Sequence, residues 1–274
     1  MSSSHGRFAW YELITTDVAA ARTFYTSVMG WSALDASLPG AAYTLFAAGD
    51  VLVGGLMQLP EDARKAGAMP GWLGYVGVDD VDAAAERVAR LGGAVHVPPT
   101  DIPGISRFAI FTDPQAARFA VIKRVTHGRE QPAWLDAPGR VGWHELFAAD
   151  WRQALAFYGG VFGWQQADAD DGEPGTYLPF SAGGATIGGM VTKPATIPVP
   201  FWLYYFNVGD LETAAQRVAA GGGEILAGPF EVPGGSWVVQ CTDPQGAVFA
   251  LEGKPPRRSP GYFGRDASAP RGRQ

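Results

Sequence analysis

The sequence has little of several features that mark common classes of protein. It contains a single cysteine, Cys241, which excludes an internal disulfide and indicates a reducing compartment. No apolar run approaches the roughly 18 residues that a membrane-spanning helix needs, and the N-terminus lacks the apolar core of a secretion signal. The net charge of −6 argues against nucleic acid as a partner. We therefore expect a cytoplasmic protein that binds neither membrane nor nucleic acid.

The motifs of several kinds of enzyme are also missing. There is no Gly-x-Ser-x-Gly around a serine nucleophile, and Cys241 has no histidine near it in sequence. The glycine clusters at 92–93 and 221–223 follow predicted helices, whereas a phosphate-binding loop precedes a helix. The four histidines share no metal-ligand spacing. Cys241 is expected to be a buried structural thiol.

The clearest feature that is present is an internal repeat. Residues 8–17 (FAWYELITTD) return as residues 141–150 (VGWHELFAAD), at an offset of 133. Matches continue in order through Phe-Tyr, Gly-Trp, Gly-Gly, Trp-Leu and Asp-Pro-Gln pairs, the later ones at an offset of 130. Such an ordered series indicates two copies of one domain.

Each copy predicts two β-α-β-β-β modules. In the first copy, Asp17 can cap a helix whose apolar residues recur at helical spacing, and Gly30 ends it. We expect an α+β fold of two tandem domains, each with paired βαβββ modules that form an eight-stranded curved sheet, or cup, with flanking helices. The predicted organisation is a flexible N-terminus, a domain, a linker, a domain and a flexible Pro/Arg-rich tail: 1–7, 8–125, 126–140, 141–254 and 255–274.

This element order resembles the vicinal oxygen chelate (glyoxalase/bleomycin-resistance/dioxygenase) superfamily. The resemblance rests on the Asp17-x6-Phe-Tyr start of the first helix, its repeat at Asp150, and the Asp-Pro-Gln turns at 113–115 and 243–245. It covers about residues 8–125 and 141–254, and it is strongest for bacterial tandem glyoxalase-like proteins. The resemblance implies a cup that binds a small molecule.

Metal-dependent members of that superfamily hold a divalent ion with His, Gln or Glu side chains in the cup. The matching positions of this chain carry residues without suitable donors. They are Trp10, Trp143, Leu73, Leu203, Ala120 and Ala250, with Gly55–Met57 and Gly189–Met190. We therefore expect no metal site and no other cofactor.

The first strand of each copy offers a different polar group. Strand alternation places Trp10 and Glu12 on one face, and Trp143 and Glu145 on the equivalent face. A glutamate beside a tryptophan in an apolar cup should have a raised pKa and could act as a general acid or base, or bind a ligand. The alternative is that each glutamate closes the floor of the cup through structural hydrogen bonds.

Other candidates lie on the fifth strand of each copy. Tyr75, Tyr205 and Asn207 share the parity of Leu73 and Leu203 and could contact a ligand, although tyrosines in such a strand are also typical of a core. The hairpin tyrosines Tyr43 and Tyr177 are weaker candidates. His144 lies on the face opposite Glu145, which favours a helix-packing or surface role.

Three functions remain open from the sequence. The first is metal-free binding of a small organic molecule in the cups. The second is an enzyme, a lyase, isomerase or hydroxylase-like catalyst, that uses Glu12 or Glu145 on a small carbonyl or aromatic compound. The third is a structural or regulatory protein whose cups are filled by side chains. Because the two domains are already joined, the protein could be a monomer that acts as an internal pseudo-dimer, or a homodimer.

Overall fold

The two halves of the chain fold as the repeat predicts. A computed structural model describes residues 5–38, 41–124, 137–167 and 177–254. Most of the predicted linker and the whole predicted tail lie outside the described residues. Among those described, no helix is long and apolar enough to cross a membrane.

The described residues of the first domain form eight strands and three helices. They are β1 (Phe8–Thr15), α1 (Val18–Met29), β2 (Ser32–Leu38), β3 (Ala41–Ala48), β4 (Val51–Gln58), α2 (Glu61–Lys65), β5 (Gly71–Gly77), α3 (Val81–Arg90), β6 (Ala94–Ile102), β7 (Ser106–Thr112) and β8 (Arg118–Arg124). The second domain repeats this order without a counterpart of α2 among its described residues. Its elements are β9 (Val141–Ala148), α4 (Trp151–Phe162), β10 (Gln165–Gln166), β11 (Tyr177–Ala182), β12 (Ala185–Thr192), β13 (Phe201–Asn207), α5 (Leu211–Ala220), β14 (Glu224–Glu231), β15 (Trp237–Thr242) and β16 (Val248–Gly253).

Each domain forms one mixed eight-stranded sheet. The strand order is β2-β3-β4-β1-β5-β8-β7-β6 in the first domain and β10-β11-β12-β9-β13-β16-β15-β14 in the second. The first strand of each module is parallel to the last, and the two modules join through the antiparallel pair β1–β5 or β9–β13. The expected pairing of two βαβββ modules in each domain is confirmed.

The helix boundaries follow from the residues that the sequence singled out. The Asp17 carboxylate accepts a hydrogen bond from the Ala20 backbone N–H at 2.9 Å, and Asp150 caps α4 in the same way. Gly30, at φ 70°, ends α1 in the left-handed conformation that glycine adopts at low cost. The short helix α2 was not predicted.

The repeat motifs join the two domains. Tyr25 of the Phe-Tyr motif donates to Asp243 of the opposite Asp-Pro-Gln turn at 3.2 Å, and it accepts a hydrogen bond from Trp72 Nε1 at 3.0 Å. Tyr158 repeats this arrangement with Asp113 and Trp202. These motifs therefore hold the domains together, with one continuous apolar core running through both.

Both Gly-Trp motifs also cross between the domains, and they correct an expectation. Trp164 Nε1 donates to the Gly6 carbonyl at 2.6 Å, and Trp31 Nε1 donates to the Gly139 carbonyl at 2.9 Å. We expected residues 5–7 to belong to a flexible terminus. Instead Gly6 also donates to the Gly77 carbonyl, which fixes this segment at the end of β5.

Removing the Tyr25 hydroxyl tests the connection between the domains. Tyr25→Phe leaves the Trp72 N–H without its acceptor and Asp243 without its phenol donor, both in a buried place. We expect the free energy of unfolding to fall by about 1–3 kcal/mol in urea titrations. Tyr158→Phe should cost a similar amount, and Thr23→Ala on the exposed side of α1 should change it by less than about 0.5 kcal/mol. An equal effect of all three variants would contradict the assignment.

Candidate ligand-binding cups

The concave face of each sheet has its own small apolar cluster, separate from the core that joins the domains. In the first domain it is built around Leu73, Tyr75 and Ala120, with Trp10 partly exposed against it. In the second domain the cluster contains Leu203, Tyr205 and Ala250, with Trp143 against it. Equivalent positions of the first, fifth and eighth strands therefore share one face of the sheet in both domains.

Glu12 lies at the centre of the first cup. It is 7% exposed and stands opposite Gly55 on β4 and Leu73 on β5. Its two carboxylate oxygens accept hydrogen bonds from the hydroxyls of Tyr43 and Tyr75, both at 2.8 Å. Tyr43 in turn accepts from Trp10 Nε1 at 3.2 Å. The four side chains form one connected network.

The second cup repeats this centre with fewer hydrogen bonds to the carboxylate. Glu145 is 8% exposed and accepts from the Tyr205 hydroxyl at 2.5 Å. The Tyr177 hydroxyl accepts from Trp143 Nε1 at 2.7 Å, but it makes no hydrogen bond to Glu145. Gln240 Nε2 adds a hydrogen bond to Tyr205 at 3.3 Å.

A glycine makes room for each hairpin tyrosine. A β-carbon at Gly55 would overlap the hydroxyl and ring of Tyr43, and one at Gly189 would overlap Tyr177. These tyrosines, which the sequence placed below the other candidates, therefore reach over the neighbouring strand to the glutamate or to the tryptophan. The sequence signal was the Gly-Gly pair repeated in both copies.

Burial determines the chemistry of the two carboxyl groups. It raises the pKa of Glu12 above the usual 4.5, although the hydrogen bonds from Tyr43 and Tyr75 lower it in part. The pKa of Glu145 is raised for the same reason and is lowered in part by Tyr205. Among the described residues neither glutamate forms an ion pair. Each cup thus presents a carboxyl group whose pKa is raised and which has no ion-pair partner among the described residues.

Two further residues named from the sequence have different surroundings. Asn207 is at the end of β13, on the face of Tyr205, and its backbone pairs with Gly139 and Arg140. His144 is neither on the surface nor packed on a helix. It is buried between the domains, where Nδ1 lies 2.6 Å from the Ile187 carbonyl and Nε2 lies 2.5 Å from the Tyr11 hydroxyl.

The environment of His144 fixes its proton and its charge. A carbonyl can only accept, so Nδ1 carries the hydrogen and Nε2 accepts from the Tyr11 hydroxyl. Burial lowers the pKa of His144 to about 4. The neutral ring therefore joins the two domains and is not available to the cups.

The positions that the family resemblance matched to metal ligands lie in or beside the concave clusters, and their side chains are not the usual donors to a divalent ion. They are tryptophan, leucine, alanine and glycine, next to Glu12 in the first cup and to Glu145 in the second. In residues 5–38, 41–124, 137–167 and 177–254 no three His, Cys, Asp or Glu side chains come together. A site of three or more side chains of these four types is therefore not present in the described part of the chain.

The raised pKa of Glu12 gives a testable pH dependence of stability. Because the folded-state pKa lies above the unfolded one, the stability that the neutral carboxyl contributes is complete below about pH 4 and is lost as the pH rises through the folded value. Glu12→Gln stays neutral, so the free energy of unfolding of this variant minus that of the wild type should increase from pH 4 to pH 8.

Urea titrations at several pH values measure that difference. The matched control is Glu224→Gln on an exposed strand position, which should stay within about 0.5 kcal/mol of the wild type. A difference for Glu12→Gln that falls as the pH rises would contradict the account of the carboxyl.

Comparison with known proteins supports the same fold and family. The family model described as the Glyoxalase/Bleomycin resistance protein/Dioxygenase superfamily matches residues 7–121 and 140–251. Among solved structures, the Mn(II)-bound glyoxalase from Novosphingobium aromaticivorans has a TM-score of 0.61 at 18% identity, over 92% of this chain and 82% of that one. The 2,3-dioxygenase LapB from Pseudomonas has a TM-score of 0.60 at 13% identity, over 96% and 97%. At these identities the likeness concerns the fold alone.

Two relatives are similar in sequence along most of their length. The chain is 33% identical over 244 residues to the putative glyoxylase CFP32 of Mycobacterium tuberculosis, and the match covers 88% of this chain and 92% of that protein. It is 35% identical over 260 residues to the anthracycline biosynthesis protein DnrV of Streptomyces peucetius, and that match covers 90% of this chain and 92% of the relative. With the family match over both repeats, the chain belongs to the Glyoxalase/Bleomycin resistance protein/Dioxygenase superfamily as a tandem two-domain member.

Proposed function

We propose that the protein binds a small organic molecule in a cup, without a metal ion, through aromatic side chains and the buried glutamate. The observation that carries the proposal is a carboxyl group placed in an apolar cluster with no ion-pair partner among the described residues. Burying such a group costs stability, and a neutral or apolar residue would close the cup more cheaply. Costly ionisable groups in a concave site are typical of binding and catalysis.

The exposure of the lining favours a cup with an accessible mouth over a filled one. In the second domain Trp143 and Phe201 are partly exposed although they pack against the concave cluster. Aromatic rings in this position offer a flat apolar surface, while the glutamate and tyrosines give direction to hydrogen bonds. The names of the two relatives, a glyoxylase and a protein of anthracycline biosynthesis, both concern small organic compounds.

A planar aromatic probe tests binding. Daunorubicin, an anthracycline that carries hydroxyl groups and an amine, should bind the wild-type protein in a fluorescence titration. The double variant Glu12→Gln/Glu145→Gln removes the carboxyl group of both cups and should weaken binding at least about tenfold, or about 1.4 kcal/mol. Glu224→Gln is the matched control and should bind like the wild type. Absence of wild-type binding, or equal binding by the double variant, would contradict the proposal.

Metal analysis tests the other part of the proposal. Protein purified from a medium supplemented with Mn²⁺, Fe²⁺ and Zn²⁺ should carry less than about 0.1 equivalent of any of them after gel filtration, because the donor set is incomplete. Daunorubicin affinity should be the same before and after treatment with a chelator. A stoichiometric ion, or affinity that depends on one, would overturn the metal-free proposal.

A second candidate function is catalysis by the same glutamates. It is favoured by the raised pKa of Glu12 and Glu145, since a general base works best with a pKa near the working pH. A cup carboxylate could take a proton from the carbon beside a carbonyl group and return it to the neighbouring carbon, which isomerises the substrate with no net gain or loss of atoms.

The hemithioacetal of methylglyoxal and glutathione is the substrate that tests this candidate. Turnover by the wild type that is lost in Glu145→Gln or Glu12→Gln, with binding retained, would establish an isomerase. Binding of the hemithioacetal without turnover would leave a binding protein.

A further inference from the structure

The two cups carry the same central residues but differ around them. We propose that the C-terminal cup is the binding site, that the N-terminal cup is closed, and that the ligand is a planar aromatic molecule carrying an amine. This inference rests on the proposed binding function and specifies where and what the protein binds.

A helical segment packs on the first cup, whereas the equivalent connection of the second domain, which is fully described, contains no helix. Twelve residues, 59–70, separate β4 from β5, and they include α2, from which Ala63 packs against the concave cluster together with Ala68 and the buried Leu59. Only eight residues, 193–200, separate β12 from β13. None of those eight belongs to the concave cluster of the second domain.

The first residue of this connection shows the difference directly. The Leu59 backbone N–H donates to the Thr15 carbonyl, and the Lys193 backbone N–H makes the equivalent bond to Ala148, so the two residues correspond. Leu59 is buried in the first cup. Lys193 instead sends its ammonium to the Ile197 carbonyl at 2.6 Å.

An arginine side chain also covers the tryptophan ring of the first cup. The Arg124 guanidinium stands 5.3 Å from the centre of the Trp10 ring and donates to the Ala9 carbonyl at 3.1 Å. In the described part of the second domain no cation lies over the Trp143 ring. The face of Trp143 is therefore available to a flat ligand in a way that the face of Trp10 is not.

Hydrogen bonding also distinguishes the two glutamates. Tyr43 and Tyr75 each donate to one oxygen of Glu12, so both oxygens are engaged. Glu145 receives one hydrogen bond, from Tyr205 to Oε2, and within the described residues its Oε1 accepts none. A carboxylate oxygen without a protein donor is a ready acceptor for a ligand N–H or O–H group.

At two further positions the second cup has a polar residue where the first cup has an apolar one. At the offset of 130, Ile110 corresponds to Gln240, and Ile122 corresponds to Glu252. Gln240 bonds to the Tyr205 hydroxyl. Glu252 shares the cup face with Ala250, and its carboxylate accepts from the Ser236 hydroxyl at 2.5 Å.

These groups define the class of ligand. Glu145 and Glu252 give the second cup two carboxylates where the first has one, which favours a cation over an anion. Trp143 and the stacked pair of Phe147 and Phe201, whose ring centres lie 5.0 Å apart, supply flat apolar surfaces. A planar aromatic amine matches both features.

An exchange of equivalent residues between the cups tests the inference. Daunorubicin is titrated into the full chain, and one site per chain is expected. Gln240→Ile gives the second cup the residue of the first, and it should weaken binding about tenfold because the bond to Tyr205 is replaced by an apolar contact. Ile110→Gln makes the reverse change in the first cup and should alter the affinity less than about twofold. Both variants use a residue that the same fold already accepts, and thermal unfolding checks that each is folded.

The outcomes separate this inference from the function on which it rests. Two equivalent sites per chain, or sensitivity to Ile110→Gln in place of Gln240→Ile, would overturn the assignment to the C-terminal cup and leave binding intact. No binding by the wild type would overturn both. Daunorubicin acetylated on its amine is the test of ligand class and should bind at least about tenfold more weakly. Equal affinity for the acetylated compound would overturn the requirement for an amine.

Discussion

The alternation of side chains along the first strand of each domain is the constraint on which the rest of the structure depends. Neighbouring residues of a strand point to opposite faces, and here both faces are occupied. Tyr11 and Leu13 enter the core between the domains, and Glu12 enters the cup. A shift of one residue in the pairing of β1 with β5 would exchange these environments, so the register is strongly specified.

The same alternation along β1 and β9 explains why the contact between the domains is separate from the two cups. His144 and Tyr11 meet across the domain boundary through their facing rings, while the glutamates that follow them point away from it. Tyr25 with Asp243, and Tyr158 with Asp113, then fix the boundary by reciprocal hydrogen bonds. Each cup is thus built within one domain, and the residues around one cup can change without altering the other.

Much of this arrangement follows from the sequence because it depends on periodic patterns. The repeat, the caps at Asp17 and Gly30 and the shared face of Trp10 and Glu12 all come from local spacing, and the family resemblance implied that this face lines the cup. The five residues of α2 are too few to show a helical period. The partner of His144 comes from the other domain, and no pattern along one strand reveals it.

The sequence also could not predict how far the long side chains reach. Strand parity gives the face of Tyr43 but not that its hydroxyl crosses Gly55 to meet Glu12. The replacement of Ile110 by Gln240 was visible in the aligned repeats. Its meaning depends on the contact with Tyr205, which only the folded chain shows.

The proposed function requires that a buried glutamate in an apolar cup receives an organic ligand directly, without a metal ion between them. A crystal structure of the protein grown with daunorubicin tests it. We expect the aromatic rings against Trp143, an N–H or O–H group within hydrogen-bond distance of Glu145, and no metal density in either cup. Ligand density outside both cups, or a metal ion between the ligand and the glutamate, would contradict it.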